Sequence, residues 1–156
     1  MGRVYTVTFA NLSLTGDGDD LLEVIAASGK PLQVLAALFS LYESETNEQL
    51  TGEIRLATGS YTSGSGGSAV TPTKASSTLP AASFSAEKGN STSASAGTGA
   101  LTAMHTEGFP SQGGWAWLPT PEQRPVLQGG EAIVFHLVKG TASASGWNGT
   151  VYVEEL

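Results

Sequence analysis

The 156-residue sequence predicts an all-β fold, an antiparallel β-sandwich of jelly-roll-like type with about eight strands. Three observations carry that prediction. Apolar and polar residues alternate in short runs, Gly, Pro and Asn punctuate the runs, and no dependable amphipathic helix interrupts them. The length suits one domain, residues 1–156, that buries about 68–70% of its unfolded surface. Within it, residues 57–100 form a long Gly/Ser/Thr-rich insertion.

The first strand is read over residues 3–14, where Tyr5, Val7 and Phe9 alternate with Val4, Thr6 and Thr8. A turn-rich stretch, Asp17-Gly18-Asp19-Asp20, leads to a second strand over 21–27. Ser28-Gly29-Lys30-Pro31 then turns the chain into a third over 32–42. The Leu/Ala/Phe content of 34–39 also suits a helix, but Pro31 before it and the alternation after it favour a buried strand. Residues 53–58 alternate again, Ile54 and Leu56 against Arg55.

In residues 57–100 the large apolar side chains are Tyr61, Val70, Leu79 and Phe84, too few to build a core. Long structureless loops are uncommon in compact domains unless they serve a function or lie on something else. The four side chains are therefore expected to anchor the segment as a partner or oligomer contact, stiffened by Pro72 and Pro80, while the sandwich folds without it. Strand character returns over 101–106, 113–118, 131–138 and 150–155. Turns are expected between these runs at Gly108-Phe109-Pro110, Pro119-Thr120-Pro121, Gly129-Gly130 and Trp147-Asn148-Gly149, the Asn-Gly pair being a hairpin signal.

Charge narrows the function classes. A net charge of −7, with 13% charged residues, leaves no basic footprint for nucleic acid and keeps free subunits soluble. With no Cys there is no disulfide scaffold or thiol nucleophile. No run approaches the ~18 apolar residues of a membrane helix, and the start lacks a secretory h-region, so the expectation is a soluble chain without a membrane partner.

Candidate chemistry is sparse. His105 and His136 lie in apolar strand patterns with Glu107 and Glu131 as acidic neighbours, which reads as structural histidine rather than a metal site. Glu43, Glu45 and Glu48 sit in a polar turn, where solvation explains them better than paired-carboxylate catalysis. The acidic turn at Asp17 to Asp20 offers hard oxygen ligands but lacks EF-hand spacing, and a charged turn is preferred. Ser63-Gly64-Ser65-Gly66-Gly67-Ser68 is neither a nucleophile elbow nor a Walker loop. No enzyme activity, catalytic residue, cofactor or metal is expected. Trp115 and Trp117, one residue apart, fall on one side of a strand; core or interface packing is the leading reading and a glycan platform the alternative. The Asn11, Asn90 and Asn148 sequons and the Met1-Gly2 start read as chance matches to modification motifs.

Four stretches carry a resemblance: Tyr5-Thr6-Val7-Thr8-Phe9, the Gly59 to Pro72 run, Trp117-Leu118-Pro119-Thr120-Pro121-Glu122-Gln123-Arg124-Pro125, and Gly149 to Leu156. Together they resemble small β-rich proteins of tailed bacteriophages and prophages. The resemblance implies a virion setting, with the chain made in the host cytoplasm as a capsid decoration or cement subunit. It further implies binding to the major capsid protein or neighbouring subunits and association with its own copies, as a homotrimer in the favoured case. A tail or head-completion component is the related alternative. The resemblance supplies no catalytic residues.

Overall fold

A computed structural model describes residues 2–14, 17–42, 46–143 and 145–156. Its strands are β1 (Arg3–Leu14), β2 (Asp20–Ile25), β3 (Leu32–Leu41), β4 (Gln49–Thr58), β5 (Ser68–Ala69), β6 (Thr73–Lys74), β7 (Ser85–Asn90), β8 (Ala100–Pro110), β9 (Trp115–Trp117), β10 (Val126–Leu127), β11 (Ala132–Lys139) and β12 (Ser145–Glu155). A 3-10 turn spans Pro121–Gln123. Two antiparallel sheets face each other in an all-β sandwich. Sheet A runs β10-β3-β12-β1-β6, with β9 also paired to β3, and sheet B runs β5-β7-β2-β11-β4-β8.

Strand alternation builds the core. Tyr5, Val7 and Phe9 of β1 and Val151 and Val153 of β12 point from sheet A towards Leu22, Val24, Ile133, Phe135 and Leu137 of sheet B. One end of the core is aromatic. Trp115 stacks on Phe109 with ring centres 5.6 Å apart and lies 5.5 Å from Phe39, while Trp147 meets Phe109 edge-on at 6.4 Å. The run 32–42 is strand to Leu41, because both its neighbours, β12 and β9, need its backbone in a ladder.

Two expected turns are strand instead. Gly108-Phe109-Pro110 continues β8, where Phe109 pairs with Leu50 and Pro110 closes the strand at a sheet edge, where a missing N–H is tolerated. Asn148 and Gly149 lie inside β12, opposite Ser40 and Phe39 of β3. Gly149 answers a packing demand: a Cβ there would sit 2.5 Å from the Phe9 ring and 2.8 Å from Phe39. Trp147, expected in a turn, is on β12 and fully buried.

The insertion is folded onto its own domain, which corrects the expectation that it lacks the means to hold there. Residues 59–67 and 91–99 pair as a ribbon, with Thr62 opposite Ser95 and Ser65 opposite Thr92. Reciprocal backbone hydrogen bonds of 2.9–3.0 Å join these pairs. Beyond the ribbon, β5 joins β7 on sheet B and β6 joins β1 on sheet A, so the segment clasps one open side of the sandwich. Val70 and Phe84 belong to the domain core, the latter edge-on to Tyr5 at 5.7 Å. The glycines of 63–68 are close-packed rather than linker-like; a Cβ on Gly64 would lie 2.6 Å from the Asn90 amide.

Candidate functional site

The outer faces of the two sheets are the places where chemistry can be presented, and they are built differently. On sheet B, Ile133, Phe135 and Leu137 point into the core, so Ala132, Val134 and His136 of β11 point outward, yet all three are buried. The same holds on β2, where Leu22 and Val24 point inward and Glu23 points outward with 0% exposure. The ribbon lies over them.

Carboxylates fasten that cover. Glu23 accepts from the Tyr61 hydroxyl at 2.8 Å, the Ser63 hydroxyl at 2.9 Å, the Gly64 amide at 3.1 Å and the Asn90 side-chain amide at 3.3 Å. A buried carboxylate requires such a donor set. Burial pushes the Glu23 pKa up, opposed by the Tyr61, Ser63 and Gly64 donors and reinforced by the nearby Asp20 charge. Burial and the Glu23 partner in turn raise the Tyr61 phenol.

Asp20 accepts from the Ala94 amide at 2.7 Å and lies 2.7 Å from His136 Nδ1, which serves as donor because a carboxylate only accepts. Glu155 accepts from both the amide and the hydroxyl of Ser83 at 2.6 Å and pairs with Arg3 at 3.1 Å. Burial raises the Glu155 pKa, but the two Ser83 bonds, with Arg3 and Lys30, outweigh it and hold the group below the usual carboxylate range. The Tyr5 hydroxyl adds a bond to the Pro80 carbonyl at 3.2 Å.

Of the expected contact residues, Tyr61 thus binds Glu23, Val70 and Phe84 fill the core, and Leu79 is half-buried with its amide donating to Ser76 O at 3.1 Å. Trp115 and Trp117 do share one side of β9, but that side faces inward, with exposures of 2% and 9%. Neither indole face is offered to a sugar. Glu131 is not the partner of His136, whose place on the outer face of β11 sets it against Asp20 of β2. His105 does meet Glu107, at 3.2 Å on an exposed edge. The acidic turn does not converge: Asp17 accepts from the Gly140 amide at 2.7 Å while Asp20 is engaged as described. Glu43 and Glu45 lie outside the described residues. Glu48 accepts from the Ala142 amide at 3.0 Å. No cluster of three metal-ligating side chains occurs among the described residues.

Sheet A presents the contrasting surface. Across its centre run two rows, Thr8-Thr150-Leu38-Ala116 and Thr73-Thr6-Tyr152-Ala36, without a charged side chain. Leu38 and Tyr152 are 40% and 37% exposed. A groove of about 370 Å³ opens there, and Leu38, Ser40, Ala116, Asn148, Thr150 and Tyr152 are among the residues that line it.

An all-β sandwich with one covered and one bare face is the class that this geometry defines. Protein-family models, curated proteins and solved structures were each compared with the chain, and none matches.

Proposed function

We propose that this chain is a non-enzymatic structural protein of a bacteriophage particle, a capsid decoration or cement subunit that binds the particle surface and its own copies. The observation that carries the reading is the bare, uncharged centre of sheet A on a chain of net charge −7. Two acidic surfaces meet at least cost where neither presents charge, since buried charge must be desolvated. Strand order supports it by analogy of fold: β1-β12-β3-β9 in one sheet and β2-β11-β4-β8 in the other follow the order expected of a jelly roll, an architecture that viral capsid domains use.

Co-sedimentation with undecorated particles tests the reading. The wild-type chain is expected to pellet with them, and Leu38→Asp or Thr150→Lys to remain in the supernatant while still folded. Free wild-type chain, or charged variants that bind equally well, would overturn it.

A carbohydrate-binding module is the second reading, and the groove favours it. Tyr152 gives a partly exposed ring to a groove also lined by Asn148, Ser40 and Thr150, uncharged polar side chains, and by apolar Leu38 and Ala116. Glycan-array binding by the wild-type chain that is lost in Tyr152→Ala, with no co-sedimentation with undecorated particles, would select this reading over the first.

A further inference from the structure

On the side of the sandwich away from the clasp, sheet B ends in β8 and sheet A in the short β9 and β10. A pocket of about 200 Å³ lies between these edges, lined by Met104, His105, Trp117, Pro119 and Gln123. Successive residues of a strand ordinarily point to opposite faces. Met104, however, is the extra residue of β8 at the register irregularity between Ile54 and Arg55, and this bulge lets it line the same pocket as His105. His105 lies opposite Ile54, on the core-side face of sheet B, and Trp117 is on the inward side of β9.

Glu107 lies two residues further along that face of β8, 3.2 Å from His105 Nε2. A carboxylate only accepts, so Nε2 carries the proton of that bond, and in the neutral ring Nδ1 keeps its lone pair. Among the described residues no hydrogen bond reaches Nδ1. An imidazole with one N–H held by a carboxylate and its other nitrogen free is arranged as a metal ligand is. Sequence spacing gives His105 only acidic neighbours; the bulge adds a thioether.

We propose that this pocket binds a soft monovalent cation, Cu(I), through the Met104 thioether and His105 Nδ1, with the Trp117 ring alongside. The donor set selects the ion. Thioether sulfur favours Cu(I), imidazole accepts it, and the oxygen-rich cage that Ca²⁺ or Mg²⁺ needs is missing from the lining. Cu(I) is stable with two or three ligands, and the pocket leaves room for a water, which takes about 30 Å³, as the third. An indole ring attracts a cation placed over its face, and a chain of net charge −7 attracts cations in general. The site uses neither the bare face of sheet A nor its groove, so it stands or falls independently of the phage reading.

Anaerobic titration with Cu(I) against a chromophoric Cu(I) chelator, repeated with redox-inert Ag(I) and with Zn²⁺, tests it. One equivalent of Cu(I), or of Ag(I), is expected to bind, and Zn²⁺ to bind more weakly. The chain has two His and two Met, so nuclear magnetic resonance can follow each one. The His105 ring and the Met104 methyl should shift on Ag(I) addition while His136 and Met1 do not. Glu107→Ala should weaken Cu(I) binding about tenfold, and Met104→Leu and His105→Ala by more. Met104 is 41% exposed and the His105 side chain 38%, so circular dichroism should show these variants folded. Absence of binding, Zn²⁺ held more tightly than Cu(I), shifts confined to Met1 or His136, or a Met104→Leu chain that binds as well as wild type would each overturn the inference.

Discussion

The outer faces of the two sheets began as equivalent halves of one sandwich and ended differently. Sheet B's face carries Glu23, Asp20 and His136 on its central strands and is buried under the ribbon; sheet A's carries Thr, Ala, Leu38 and Tyr152 and is bare. The covering segment has few large side chains, but every residue of it except Pro72 and Pro80 brings a backbone N–H and many bring a hydroxyl. Such a segment needs acceptors beneath it more than it needs grease. Glu23 and Asp20 supply them on one face, Glu155 supplies another at the clasp, and the two central rows of sheet A hold no carboxylate.

The severest way to break the comparison is to strip sheet B. Replacing residues 64–97 with a short Gly-Ser linker removes β5 to β7, exposes Val134 and Ala132, and takes Val70 and Phe84 from the core. Phe84 alone contributes about 3–5 kcal/mol, against a total stability on the order of 5–15 kcal/mol. The shortened chain is therefore expected to lose its cooperative thermal transition. A sharp melt near the wild-type temperature would mean that the sandwich stands without its cover, as sequence alone suggested.

Cutting one fastening is the next largest perturbation. Glu23→Ala leaves the donors of Tyr61, Ser63, Gly64 and Asn90 without their acceptor, and urea denaturation should report a loss of about 3–5 kcal/mol. Glu23→Gln keeps one acceptor oxygen and escapes the cost of a buried charge, so its loss should be smaller. Equal stability of Glu23→Ala and wild type would show that the ribbon rests on its own hydrogen bonds.

Acid sharpens the contrast between two fastenings, because their shifts have opposite signs. Glu155 is held low, so its contribution is full above the ordinary carboxylate range and disappears as pH falls through its own lower value. Glu23 is raised, so the folded chain takes up its proton first, and stability rises as pH falls from above that raised value towards the ordinary range. Stability measured by urea against pH should lose its rise in Glu23→Gln and part of its acid decline in Glu155→Gln. Unchanged profiles in both variants would remove these groups from the pH dependence.

The mildest change falls on the bare face. Leu38→Lys puts charge at a position that is already 40% exposed and supports nothing above it, so stability should move by no more than about 0.5 kcal/mol. A larger loss would mean that sheet A's face packs more than its accessibility indicates.

Much of the framework was legible. Alternation located β1 to β4, β8, β9, β11 and β12, including the run 32–41, because a strand with one buried face writes its period into the sequence. It failed at Gly108 and Gly149, where glycine reads as a turn but Gly149 is demanded by the Phe9 and Phe39 rings packed against it. β7 was invisible for the opposite reason: Ser85-Ala86-Glu87-Lys88-Gly89-Asn90 has no apolar period, and its strand state comes from β2 beside it. The fastening residues did leave one trace. Glu23 is a lone carboxylate within Leu21, Leu22, Val24 and Ile25, a place where an unpaired charge is untenable.

The sequence by itself determined the all-β class, the long strands and the side of each that faces the core, since these depend on neighbours one or two residues apart. Only the tertiary structure decided where residues 57–100 lie, which tryptophan side is inward, and which outer face stays open. Those outcomes rest on hydrogen bonds such as Glu23 to Tyr61, Asp20 to Ala94 and Glu155 to Ser83, which join residues 38, 74 and 72 positions apart. A polar segment has no period to announce such partners, because a hydroxyl or an amide can bond any acceptor that the fold brings within reach.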